Sequence, residues 1–77
     1  MNKQQFINEL KNALNRKEDI TEDMILSDLP EWDSLGIVCV ITMLEDDFNY
    51  KINISELEQI KTLKDLMEIK ELSISDL

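Results

Sequence analysis

Apolar residues at Phe6, Ile7, Leu10, Ala13 and Leu14 recur at steps of three and four, which predicts an amphipathic helix over roughly Lys3–Asn15. Asn15-Arg16-Lys17 then places positive charge at the helix C-terminus, where the backbone dipole favours it. From Glu18 to Trp32 the pattern turns polar, with apolar anchors at Ile20, Met24, Ile25, Leu26 and Leu29, and Pro30 near its end. A connection of that length in so short a chain has to be pinned by its anchors or serve a function. Periodicity resumes at Ser34 and runs to Phe48: at 100° per residue Ile37, Ile41, Leu44 and Phe48 share one line, flanked by Val40, and that line is the predicted core face. Leu35, Cys39, Thr42 and Asp46 lie opposite, with Val38 and Glu45 on the shoulder. Leu35 and Cys39 are not residues that solubility alone would place outward.

Asn49 suits a left-handed helix stop. Ser55-Glu56-Leu57-Glu58 has the form of a capping box, opening a short helix that ends near Ile60. Thr62-Leu63-Lys64-Asp65 is a similar start for a fourth helix, with Leu63, Leu66, Met67 and Ile69 as its apolar stripe. Ser73–Leu77 is expected to fray. The expectation is an all-α, four-helix bundle, with three longer helices and one short one and a long loop between the first two. Residues 1–77 form one domain in this reading, without repeats or linkers.

Composition narrows the function. With 77 residues, a single core is all that can be built, and no deep enclosed active site. One glycine and one proline argue against an all-β fold. The chain has no histidine for acid–base work near neutral pH, and its single Cys39 allows neither an internal disulfide nor a zinc-ligand spacing. Asp46-Asp47 lacks the loop spacing of a dedicated calcium site, so no metal is expected. The longest apolar run, Leu35–Leu44, is too short to span a bilayer, and the first residues lack the apolar stretch of a signal peptide. A cytoplasmic location is the default expectation, and an acidic chain with pI near 4.2 is expected to bind neither nucleic acid nor anionic membrane.

The formal charge of −9 is unevenly placed. Glu18 to Tyr50 holds ten acids and no Lys or Arg, whereas the flanking segments together hold seven acids and eight bases. Asp33-Ser34-Leu35 sits within that acidic stretch, at the head of the second helix pattern. Either Asp33 or Ser34 can cap a helix, and with Asp33 as cap, Trp32 and Ile37 occupy the positions of a hydrophobic staple. A phosphate attached to Ser34 would be stabilised by the free N–H groups and dipole of the helix start. Nothing nearby in sequence supplies a general base, so Ser34 is a candidate for modification by another enzyme and a poor autonomous nucleophile. A hydrolase is accordingly the weakest reading.

Asp33-Ser34-Leu35, the helix after it, Glu45-Asp46-Asp47-Phe48, Ile52, Ile54 and Ile60-Lys61-Thr62-Leu63 together resemble the acyl carrier protein family, over nearly the whole chain from Phe6 to about Ile69. The resemblance implies a four-helix bundle that carries covalent 4′-phosphopantetheine, derived from coenzyme A, on Ser34, with Asp33 and Leu35 completing the attachment motif. It implies an acyl group held as a thioester, and an interior lined by Ile37, Ile41, Leu44, Ile54 and Leu63 as its possible shelter. The implied partners are a phosphopantetheinyl transferase and acyl-loading and acyl-accepting enzymes with basic or apolar surfaces, engaged by a monomer in fatty-acid or related lipid metabolism. Trp32, Leu35, Val38, Cys39, Thr42, Glu45 and Asp46 are the expected docking residues.

The chain departs from the fatty-acid-synthesis pattern in one respect: no acid lies between Gly36 and Leu44, and the acids of this helix begin at Glu45. A specialised carrier is therefore expected rather than a housekeeping one. An aminoacyl or peptidyl carrier loaded by an adenylating enzyme is the alternative on the same architecture. An unmodified helical interaction module is the alternative of another class.

Overall fold

The computed structural model describes residues 1–75, and these fold into four α-helices: α1 (Lys3–Leu14), α2 (Ser34–Phe48), α3 (Ile54–Glu58) and α4 (Leu63–Met67). Short 3₁₀ turns lie at Leu26–Asp28 and Lys70–Leu72. Local capping sets most of the boundaries. Asn2 caps α1 reciprocally with Gln5, Asn53 caps α3 with Glu56, and Thr62 caps α4 with Asp65. Asn15 and Asn49 end α1 and α2 in the left-handed conformation, at φ 54° and 53°.

The core draws on every segment. Phe6, Leu10 and Leu14 of α1 are buried with Ile37, Val40, Met43 and Leu44 of α2, Leu57 of α3, and Leu63, Leu66 and Met67 of α4. The rings of Phe6 and Phe48 meet at 5.6 Å in a tilted pair. The long α1–α2 connection is sealed into this core by Ile20, Leu26 and Leu29. Its backbone is also tied to the start of α4. Leu26 N–H donates to the Lys61 carbonyl at 2.9 Å, Leu63 N–H to Met24 at 3.2 Å and Lys64 N–H to Glu22 at 2.9 Å. The loop is thus held at its middle by hydrogen bonds as well as by apolar anchors.

Several expectations need correction. The buried face of α2 is turned toward Gly36, Val40 and Met43, because α1 crosses there; Ile41 and Phe48, placed on the core line by periodicity, are only half-buried. The third helix is capped by Asn53 rather than Ser55 and starts two residues earlier, because Asn53 and Glu56 complete a reciprocal capping box there. Helix α4 is five residues long and gives way to the 3₁₀ turn, so the bundle has two long helices and two short ones. Before the tail expected to fray, Leu72 is buried, and within it Ser75 N–H donates to the Met1 carbonyl at 3.0 Å. Residues 76 and 77, the rest of that segment, lie outside the described residues.

Gly36 is buried where the loop returns to α2. A Cβ at this position would overlap the Glu31 carbonyl oxygen and press on Leu14 Cδ2 at 3.1 Å. The obstacle is backbone, so no rotamer change relieves it. Gly36→Ala is expected to lose about 1–3 kcal/mol by overpacking, although alanine is the better helix former. Thermal unfolding should register a fall of roughly 4–8 °C per kcal/mol in a chain of this size, and an unchanged or raised midpoint would contradict the packing described.

Candidate functional site

The turn Glu31-Trp32-Asp33 delivers the chain to the start of α2. Trp32 N–H donates to the Leu29 carbonyl at 2.9 Å, and Ile37 N–H donates to the Asp33 carbonyl at 2.8 Å. Asp33 is the N-cap: its Oδ1 accepts from Gly36 N–H at 2.9 Å. That settles which of the two candidates caps the helix, and it leaves Ser34 as the first helical residue. The Ser34 side chain is exposed and makes no hydrogen bond among the described residues. Its hydroxyl stands beside the unpaired N–H groups of a fifteen-residue helix, a setting that favours an attached phosphate.

Ser34 opens onto a cleft of about 370 Å³ lined by Trp32, Asp33, Ile37, Val38, Ile54 and Glu58. Trp32 and Ile37 both line it, as a staple across the Asp33 cap requires. Of the four large apolar side chains left exposed among the described residues, Met1 lies at the chain start and the other three lie here: Leu35 at 73%, Val38 at 47% and Ile54 at 48%. Ile54 was expected to line the interior; because Asn53 caps α3, Ile54 falls instead at the first helical position and projects to the cleft. Ile37, Leu44 and Leu63 do line the core, and Ile41 reaches its edge.

The other docking candidates separate along α2. Thr42, Glu45 and Asp46 are exposed with Leu35 and Val38, and the Thr42 hydroxyl donates to the Val38 carbonyl at 3.0 Å. Cys39 is half-buried at the α1–α2 edge, beside a shallow groove that Asn12, Ala13 and Met43 also line. It is therefore not a fully outward residue. The loop acids behave differently from those of α2: Glu22 pairs with Lys3 at 3.0 Å and Asp19 with Lys11 at 3.2 Å, whereas Glu45, Asp46 and Asp47 have no ion-pair partner among the described residues.

One contact had no signal in the sequence pattern. Arg16, just beyond α1, donates from Nη1 to Glu31 Oε1 at 2.8 Å across fifteen residues of chain. Periodicity and capping motifs read neighbours within a turn or two, and neither links these positions.

Comparison with known proteins agrees with this geometry. Residues 4–69 match the family model described as a phosphopantetheine attachment site. The chain belongs to the acyl carrier protein family. A member of that family, the acyl carrier protein of Coprothermobacter proteolyticus, is 35% identical over 77 residues, covering 92% of this chain and 93% of that protein. No solved structure matches the chain. Acyl carrier proteins bear a covalent 4′-phosphopantetheine, and the site at α2 fits one: a free hydroxyl, a helix start to receive the phosphodiester, and an apolar cleft beside it. Among the described residues no helix is long and apolar enough to cross a membrane.

The Asp33 cap can be tested apart from any modification. Asp33→Ala should lower stability by about 1 kcal/mol through loss of the bond to Gly36 N–H. Asp33→Asn, which can still accept that bond, should recover most of it in the same thermal melt. Equal melting of both variants and the parent would mean that the cap contributes nothing.

Proposed function

We propose that this carrier protein receives 4′-phosphopantetheine on Ser34 and serves a specialised biosynthetic pathway as an acyl carrier, with no catalytic residues of its own. The observation that carries the reading is the Ser34 hydroxyl, exposed and unengaged at the start of α2 because Asp33 takes the capping role. Its oxygen would attack the pantetheine-bearing phosphorus of coenzyme A; the new P–O bond forms as the pyrophosphate linkage breaks, and adenosine bisphosphate leaves. A phosphopantetheinyl transferase supplies the base and the metal. When attached, the arm provides a terminal thiol that holds the cargo as a thioester.

Docking follows the division seen along α2. Trp32, Leu35, Val38 and Thr42 give the serine end an apolar face, to which half-buried Cys39 adds an edge. Glu45 and Asp46 supply free negative charge toward the far end, where they can steer a basic partner surface. The partners in this reading are the transferase and the enzymes that load and accept the acyl group. They meet a cytoplasmic monomer and present a contact that is apolar near the serine and basic further along.

Intact-protein mass spectrometry after incubation with coenzyme A, magnesium and a broad-specificity transferase tests the modification. The parent should gain one phosphopantetheinyl group and Ser34→Ala none. No gain with several transferases would contradict the proposal and favour an unmodified interaction module. For docking, Leu35→Asp should change stability by no more than about 0.5 kcal/mol, since the side chain is 73% exposed. The same variant should weaken transfer at least severalfold; full activity would remove Leu35 from the docking surface.

A further inference from the structure

The corner from Pro30 to Asp33 is held on one side by α2 and on the other by a single charged tie. Arg16 and Glu31 meet at 2.8 Å, with side chains only 8% and 26% exposed. Glu31 also has its backbone carbonyl against Gly36, so the residue clasps α1 with its side chain and α2 with its main chain. The other hydrogen-bonded ties from the loop to the helices lie further back, at Asp19, Glu22, Met24 and Leu26. Ser34 is three residues beyond Glu31.

As a stabilising device the pair is poorly made. Among the described residues Arg16 Nε is buried with no hydrogen-bond partner, and a pair whose arginine is buried with an unsatisfied donor recovers little of its desolvation cost. An apolar side chain of similar length would fill the same space without that cost. What such a side chain does not supply is a directional bond that fixes Glu31 relative to the end of α1.

We infer that Arg16, through Glu31, is a positioning residue for modification at Ser34: it keeps the Trp32-Asp33-Ser34 turn in the one arrangement that the transferase accepts. This rests on the proposal that Ser34 is the attachment site. Without the tie, the corner samples other arrangements, and the carrier binds the transferase only from its competent fraction. Apparent affinity then falls in proportion to that fraction, while turnover of bound carrier is unchanged.

The test is steady-state phosphopantetheinylation with the carrier as the varied substrate, beside thermal melts and amide hydrogen exchange. Arg16→Met leaves Glu31 partly exposed and able to hydrate. Its KM for the carrier should rise about 5–10-fold at constant kcat, as expected if the competent fraction falls to between a tenth and a fifth. Amide exchange at Trp32 and Gly36, both hydrogen-bonded within the corner, should quicken. Glu31→Gln, which can still accept from the guanidinium, should keep KM within about twofold of the parent. Lys17→Met, which removes an exposed cation next door, should leave KM unchanged and so excludes a general charge effect. If Arg16→Met does not fold, Arg16→Lys carries the same expectation with a rise of about 2–3-fold. Parent-like KM and exchange in the folded Arg16 variant, or a fall in kcat alone, would overturn the inference. Failure of the parent itself to be modified would instead overturn the assignment of Ser34.

Discussion

The contact on which the site depends is the one between the Glu31 carbonyl and the bare Cα of Gly36. A helix normally holds a neighbouring backbone away by its own side chains. Here the single glycine of the chain lies in the first turn of α2, and the loop rests on the helix while Leu14 closes over it from α1. The end of α1, the loop and the first turn of α2 are thereby brought to one point, with Ser34 two residues away from it. Helix α2 then gains a fixed beginning, and its hydroxyl a fixed place.

From that beginning the physical demands on α2 diverge around its circumference. Gly36, Val40 and Met43 face α1; Ile37 and Leu44 complete the buried stripe; Leu35 and Val38 remain in water although burial would favour them. A surface that leaves Leu35 at 73% exposure beside Ile54 at 48%, around an unengaged hydroxyl, resembles half of an interface more than a finished exterior. The acids divide similarly. Glu22 and Asp19 are spent on internal ion pairs, while Glu45, Asp46 and Asp47 remain available at the far end of the helix.

What could be read from residues alone was whatever is local. The limits of α2, the Asn49 stop, the start of α4 at Thr62 and the anchoring of the loop by Ile20, Leu26 and Leu29 all follow from periodicity or caps. The placement of Ser34 at an exposed helix start belongs to this group. What could not be read is tertiary. The side of α2 that turns inward depends on where α1 crosses it, and that crossing buries Met43 in preference to Ile41. The pattern places the α3 cap at Ser55, but Asn53 and Glu56 form it, which moves Ile54 from the interior to the cleft. Gly36 entered only as the single glycine of the composition and is a backbone contact; Arg16 read as a dipole partner and is the tie to Glu31. For the inward side of α2 and for Arg16, the deciding neighbour lies well beyond the reach of helical spacing.

The chain has five serines, and Ser27, Ser55, Ser73 and Ser75 are exposed like Ser34. Exposure therefore does not distinguish among them; what sets Ser34 apart is the long helix, the Asp33 cap and the apolar cleft. Fragmentation mass spectrometry of the transferase-treated protein, with the added group mapped to its residue, tests this most directly. The account predicts the phosphopantetheinyl group on Ser34 and on no other serine. Its recovery on Ser27, Ser55, Ser73 or Ser75, or its spread over several of them, would contradict the claim that the geometry at the start of α2 defines the site.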